Sequence, residues 1–262
     1  MKVVVCTKQT PSTTADLTVD DAGNVSWEDP GGKPNVVNPW DEYSIEEGIR
    51  LKENHGATDV IAMTMGDEDS QEALKTALAM GCTEAVLLSD EAFAGADSLG
   101  TAKVLAAAVN HTGDVDMVIF GKTAIDGDTG QTAVQTARKL GWTPLTFVSA
   151  IKEIGDGAIT VERLLDDGKE TVSTSLPVVI SVVKEINDPR YPSFMGIRKA
   201  SRAKIPVLNA GNLGVENVGS KVDWSNVYAM PAREGSVEMI EGDSAQDMAS
   251  ELVDKLFEEK VI

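Results

Sequence analysis

Short apolar runs, each followed by an amphipathic segment, set the architecture of this chain. Val3-Val4-Val5 ends near Cys6, residues 60–65 end at Gly66, residues 85–88 form a third run, and residues 117–120 end at Gly121. A run that is apolar at every position suits a strand buried on both faces, as in a parallel sheet. The segments between the runs read as helices. Asn38-Pro39 opens the first, with Asn38 as the cap and Pro39 in the first helical position. Asp41, Glu42, Glu46 and Glu47 place negative charge at its start, Ile45 and Ile49 share a face, and Gly56 stops it. A second helix covers 70–80 and ends at Gly81. A third runs from a Ser98 cap to Val109, with Leu99, Ala102, Leu105, Ala106 and Val109 at helical spacing. A fourth covers 131–140, with Arg138 and Lys139 in its last turn and Gly141 as its stop. This alternation predicts an α/β fold with a doubly wound, mostly parallel sheet of the Rossmann type.

Two hairpins interrupt the alternation. Residues 16–28 turn at Asp21-Ala22-Gly23, and residues 159–163 and 170–174 are joined across Asp167-Gly168. Residues 178–183 are continuously apolar and predict another buried strand. Beyond about residue 186 the chain is loop-rich, with Pro189, Pro192, Pro206 and Pro231. It closes on a helix over 244–260 with Met248, Leu252 and Leu256 on one stripe. The expected division is an α/β domain over 1–186, including a hairpin at 157–175, and a remainder over 187–262 formed by a loop, an extended arm and the final helix.

Composition excludes several classes of function. The 262 residues are 42% hydrophobic, enough for a sizeable core, yet no stretch approaches the roughly 18 apolar residues of a membrane span. The first ten residues read as a strand rather than a signal peptide. Cys6 and Cys82 form no CxxC pair and read as small buried hydrophobes, which points to a reducing cytoplasm. The net charge is -19, from 42 acidic and 23 basic residues, and such a surface repels nucleic acid.

The loop from Gly121 to Thr132 carries the chemistry. Asp126-Gly127-Asp128 starts like a calcium loop, but Gly130, Gln131 and Ala137 stand where such a loop needs an acid or amide, a glycine and a bidentate glutamate. A paired-aspartate phosphotransferase would place its nucleophile directly at the strand end, and five residues separate Phe120 from Asp126. No Walker loop occurs, and His55 and His111 sit at helix ends without catalytic partners. A nucleotide cradle fits better. Gly127 and Gly130 admit a close phosphate, Thr129 and Thr132 offer hydroxyls, and the amides of Gly130, Gln131 and Thr132 lie at a helix start. Asp126 and Asp128 suit ribose hydroxyls or the helix cap. A capped helix with no ligand is the alternative. The other strand-end loops, Cys6-Thr7-Lys8 and Met65-Gly66-Asp67, fall where an open parallel sheet binds ligands.

The ordered motifs VVCTKQ, VNPWDEYSIEEGIRLKE, MTMG, TALAMG, FGKTAIDGDTGQT, VERLLDDGKETV, LPVVISV and NDPRYPSFMGIRKASRAKI resemble the small (beta) subunit of electron transfer flavoproteins, from residue 2 to about 216. The resemblance implies a heterodimer whose alpha subunit carries an FAD. It implies nucleotide contacts at Cys6, Asn38, Met65, Gly66, Asp126, Asp128, Gln131 and Thr132, with Lys8, Asp41, Gly121, Gly127, Thr129 and Gly130 as neighbours. In ordinary members the small-subunit pocket holds AMP. In electron-bifurcating members it holds a second FAD, which takes hydride from NADH and divides the electrons between ferredoxin or flavodoxin and the other flavin. The AIDGDT loop is similar to the bifurcating branch and leans the expectation to FAD. Gln131-Thr132, Ala133-Val134 and Leu140-Gly141-Trp142 are similar to the ordinary branch and keep AMP as the alternative. The resemblance also implies that residues 189–204 dock an acyl-CoA dehydrogenase-type enzyme, with Phe194 as anchor and Met195 and Ile197 beside it.

Overall fold

The computed structural model describes residues 1–231, 235 and 237–262, which fall into two units, Met1–Asn226 and Val227–Ile262. In the first unit the chain begins with β1 (Lys2–Cys6), β2 (Gln9–Pro11), β3 (Asp16–Val19), β4 (Val25–Glu28) and β5 (Asn35–Val37). Then α1 (Pro39–Asn54), β6 (Asp59–Met65), α2 (Gln71–Met80), β7 (Glu84–Leu88), α3 (Ser98–Thr112), β8 (Met117–Gly121) and α4 (Thr132–Leu140) alternate. They are followed by β9 (Thr143–Gly155), β10 (Ala158–Leu165), β11 (Gly168–Ser175), β12 (Val178–Val182), α5 (Phe194–Ala200), β13 (Val207–Leu208) and α6 (Ala210–Leu213).

Nine strands form one sheet in the order β11-β10-β9-β12-β8-β1-β6-β7-β13. Strands β9 to β13 in that order are parallel, and the β10–β11 hairpin adds antiparallel pairs at one edge. From β1 the chain winds outward through β6 and β7, then returns to the other side of β1 with β8 and β12. The winding direction therefore reverses between β1 and β8.

Both faces of the sheet are covered, which is why its central strands are mostly apolar. On one face Val3, Val5, Met117 and Ile119 pack with Ile45 and Ile49 of α1 and Leu74 and Ala77 of α2. On the other, Val4, Cys6, Val118 and Phe120 pack with Leu105 and Val109 of α3 and Ala133 and Ala137 of α4. The two-residue period of a strand deals successive side chains to opposite layers. Each fully buried valine, leucine or isoleucine contributes about 1.5–3 kcal/mol.

Several expectations change. Asn38 occupies the cap position of α1 but makes no side-chain cap. Its amide is drawn away by the 123–125 loop, donating to the Thr123 carbonyl at 2.8 Å and accepting from the Ile125 amide at 3.1 Å. Asp97, not Ser98, caps α3 by accepting from Gly100 N, and the helix runs on to Thr112. The second hairpin turns at Asp166-Asp167, with Leu165 opposite Gly168. Strand β9 is not expected from the sequence, because Pro144, Ser149, Lys152 and Glu153 break any apolar run, and neither is the pairing of the three-residue strands β2 and β5. The 186–245 segment contains α5, capped by Ser193, as well as α6.

Residues 207–221 strap the outer edge of the sheet. The Ala210 amide donates to Asp90 and the Lys221 amide to Asp97, while Val218 is buried against α3. A Cβ on Gly100 would run into the Val218 carbonyl, so a glycine permits this contact. In the second unit α7 (Ala245–Glu258) is capped by Ser244 and leaves Met248, Leu252, Val253 and Phe257 exposed. Among the described residues, no helix is long and apolar enough to cross a membrane.

Helix α1 lies very close to the sheet at Gly48. A Cβ there would come within 2.7 Å of Val5 Cγ2 and 3.0 Å of Val60 Cγ1. Overpacking of this kind costs roughly 1–3 kcal/mol. Gly48→Val is therefore expected to lower the stability measured by denaturant unfolding by that amount, even though glycine is a poor helix former. An unchanged or raised midpoint would contradict the tight α1–sheet contact.

Candidate functional site

A cleft of about 240 Å³ opens beyond the carboxyl ends of β1 and β8, at the reversal of winding. Open α/β sheets bind ligands there because the two flanking loops diverge to opposite faces. Cys6, Thr7 and Lys8 line it from β1, Met65 from β6, and Phe120 and Gly121 from β8. Asn38 and Asp41 enter from the start of α1. The loop after β8 supplies Lys122, Thr123, Ala124, Gly127, Asp128, Thr129 and Gly130, and α4 adds Thr132 and Ala133. Ser98, Thr101 and Leu105 of α3 form the remaining wall.

Most expected site residues meet in this cleft: Cys6, Lys8, Asn38, Asp41, Met65, Gly121, Gly127, Asp128, Thr129, Gly130 and Thr132 all line it. Three do not. Gly66 abuts Ser70, Asp126 is gripped by Lys8, and the Gln131 side chain accepts from Gln135 at 3.0 Å. The α3 residues were missed, although Ser98, Thr101 and Leu105 follow the i, i+3, i+7 spacing of one helix face. Thr123 was missed as well, and it fixes the loop by accepting the Gly130 amide at 3.2 Å.

Close backbone approach builds the floor. A Cβ on Gly121 would lie 2.5 Å from Asp41 Oδ1 and 2.6 Å from the Trp40 carbonyl, so the end of β8 presses directly on the first turn of α1. Asp41 is buried there and accepts the Lys8 amide at 2.8 Å. Burial raises its carboxyl pKa to about 7, against the pull of the hydrogen bonds it accepts. Burial also pushes the Cys6 thiol well above its ordinary value, with Asp41 adding to the rise. Cys6 is thus a protonated, apolar wall residue rather than a thiolate nucleophile.

The loop after β8 is held open at both ends. Lys8 Nζ reaches Asp126 at 2.6 and 2.8 Å. Asn38 holds Thr123 and Ile125, and the Asp128 amide donates to the Ala124 carbonyl at 2.8 Å. Asp128 and Gly130 have φ of +44° and +60°, the left-handed region. The glycine at 130 therefore serves the backbone turn, a need asparagine also meets. At Gly127 a Cβ would meet nothing within 4 Å, so the glycine leaves free space. No side chain caps α4, and neither Asp126 nor Asp128 takes that role, so its first amides remain available to an anion.

Elsewhere on the unit, Phe194 and Met195 are 94% and 74% exposed, and Ile197 is also exposed. Their helix α5 is tethered from both sides. A Cβ on Gly196 would run into the Ala79 carbonyl, so α5 lies close against α2. Arg190, just before α5, donates to Glu46 and Glu53 of α1, and Asn187 donates to the Tyr43 carbonyl and Glu47.

The model of the electron transfer flavoprotein domain matches residues 30–213. The chain is 38% identical to the caffeyl-CoA reductase-Etf complex subunit CarD of Acetobacterium woodii over 266 residues, covering all of both chains. It is 32% identical to electron transfer flavoprotein subunit beta of Megasphaera elsdenii over 274 residues, again covering both in full. Protein FixA of Azorhizobium caulinodans is 34% identical over 253 residues, 92% of this chain and 89% of that protein. With the cleft at the winding reversal, the domain match and full-length identity in hand, the chain belongs to the electron transfer flavoprotein family, on its beta-subunit side.

Proposed function

We propose that this chain is the beta subunit of an electron transfer flavoprotein heterodimer, that its cleft binds FAD, and that it passes electrons between NADH, ferredoxin or flavodoxin, and an acyl-CoA dehydrogenase-type partner. The observation that carries the reading is the free space at Gly127 beside the uncapped start of α4. The likeness to CarD, named as part of a caffeyl-CoA reductase-Etf complex, supports it. FAD, when bound, accepts electrons as a pair and releases them singly. The residues here bind and orient it. The α4 amides and the Thr129 and Thr132 hydroxyls suit a phosphate. Leu105, Met65 and Ala133 offer an apolar wall for the adenine, and Lys8 with Asp126 holds the loop in place. Residues 1–186 would be the nucleotide-binding domain, residues 189–204 the dehydrogenase-docking segment, and the apolar stripe of α7 an anchor for the alpha subunit.

A second reading, structural AMP in the same cleft, has one observation in its favour. The positive φ at Gly130 shows that this glycine adds turn geometry rather than room. Counting nucleotides separates the two. Two FAD per purified heterodimer, with the flavin bleached by NADH, support the first reading, whereas one FAD and one AMP refute it.

Docking has its own test. Phe194→Ala is expected to raise the KM for the dehydrogenase roughly tenfold, the scale of losing one buried anchor, while nucleotide content stays unchanged. Lost nucleotide, or an unchanged KM, contradicts the docking role.

The raised pKa of Asp41 adds a pH signature. A bound phosphate disfavours the ionised carboxylate, so the complex holds a proton that the free chain releases as pH rises through about 7. Affinity for FAD should therefore fall as pH rises above about 7, by up to about tenfold once the pH is well past about 8, if the ligand raises the pKa one further unit. Asp41→Asn should flatten that dependence. Titration calorimetry at several pH values checks both.

A further inference from the structure

Lys122 follows Gly121 at the end of β8 and lines the mouth of the cleft. Its Nζ lies 5.2 Å from the centre of the Trp40 ring and 5.9 Å from that of Phe147. Both distances fall within the reach of a cation–π contact. Among the described residues Lys122 has no carboxylate partner, whereas the other lysine of the cleft, Lys8, is neutralised by Asp126. Aromatic rings fix the position of an ammonium without consuming its charge, so its hydrogen-bond donors stay available to a ligand.

Phe147 is an unusual residue to find in this position. Its φ is +56°, where a bulky side chain is strained, and it is 40% exposed rather than packed in the core. The β9–β12 register shifts beside it, between Ile180 and Val182, and its amide donates to Ser181 Oγ at 3.3 Å. Strain of this kind persists where the surrounding structure holds it and gathers at binding sites. The strained bulge turns an aromatic ring to the carboxyl edge of the sheet, where it meets Lys122 beside Trp40.

We propose that Lys122 is a specificity-determining residue: its ammonium, held over Trp40 and Phe147, takes the second phosphate of a nucleoside diphosphate moiety. This rests on the reading of the cleft as a nucleotide site and goes beyond it by naming what distinguishes a diphosphate from a monophosphate. The uncapped start of α4 with Thr129 and Thr132 receives the first phosphate. The second phosphate then falls to Lys122, the lining residue whose charge is unpaired and which acts as a point charge suited to it.

The test measures AMP and ADP binding to the full chain by titration calorimetry, for the native sequence and for Lys122→Met, Lys122→Arg and Phe147→Leu. The native chain should prefer ADP by about tenfold, the scale of one charge-assisted hydrogen bond. Lys122→Met should abolish the preference and leave AMP affinity within about twofold. Lys122→Arg should keep most of it, and Phe147→Leu should lose part of it. Equal affinities for AMP and ADP in the native chain, or equal losses of both in Lys122→Met, would overturn the proposal while leaving the nucleotide site intact. Failure of the native chain to bind either nucleotide would overturn the site itself and this inference with it. Lys122 is exposed, so an unchanged thermal midpoint in Lys122→Met confirms that the comparison is between folded proteins.

Discussion

The close seating of α1 on the sheet is the constraint on which the other features depend. Two glycines permit it. Gly48 lets the middle of the helix settle onto Val5 and Val60, and Gly121 lets the end of β8 meet the first turn at Trp40 and Asp41. At that distance Asp41 is out of water and its ionisation becomes costly, which is why its pKa rises toward neutrality. The same seating brings Asn38 within reach of Thr123 and Ile125, so the cleft's main loop hangs from the helix start. Along the helix, Glu46, Glu47 and Glu53 hold the segment that leads into α5. One helix thus carries the cleft at its N-terminus and the tether of the exposed Phe194 tip along its length.

What the sequence revealed follows from burial. Strands β1, β6, β8 and β12 are covered on both faces and must be largely apolar, so they announce themselves as nearly continuous runs. Strand β9 lies between β12 and β10 but leaves many of its residues partly or fully exposed, so Pro144, Lys152 and Glu153 are tolerated and the pattern dissolves. Helix α5 has only seven residues and is held by a cap and by contact with α2 rather than by an apolar stripe of its own. Periodicity cannot find such an element.

The site was legible where one segment supplied it and obscure where distant segments converge. The 121–132 loop carries its glycines and threonines in one stretch, and its position after a strand and before a helix marked it. Asn38 was read as a cap because local rules know only the helix that follows it; the competing partners lie more than eighty residues away. Trp40, Lys122 and Phe147 are unremarkable when read singly. Only the sheet order, which sets β8 beside β12 and β12 beside β9, brings them together.

The two loop glycines also part company once their geometry is known. A glycine can be required by the backbone or by the space its missing side chain leaves, and a sequence does not distinguish the two. Gly130 sits at a left-handed φ, so its identity reflects the turn into α4 and carries little information about ligand size. Gly127 has no positive φ and its missing Cβ faces open space, so a side chain there would extend into the cleft it lines. An acid there would also add negative charge next to Asp128 in the chain, opposing any phosphate. Charge and volume thus act together at Gly127, while the opposing positive charge stands at Lys122. On the proposed reading of the cleft, discrimination between a short and a long nucleotide falls to these two positions rather than to the paired aspartates.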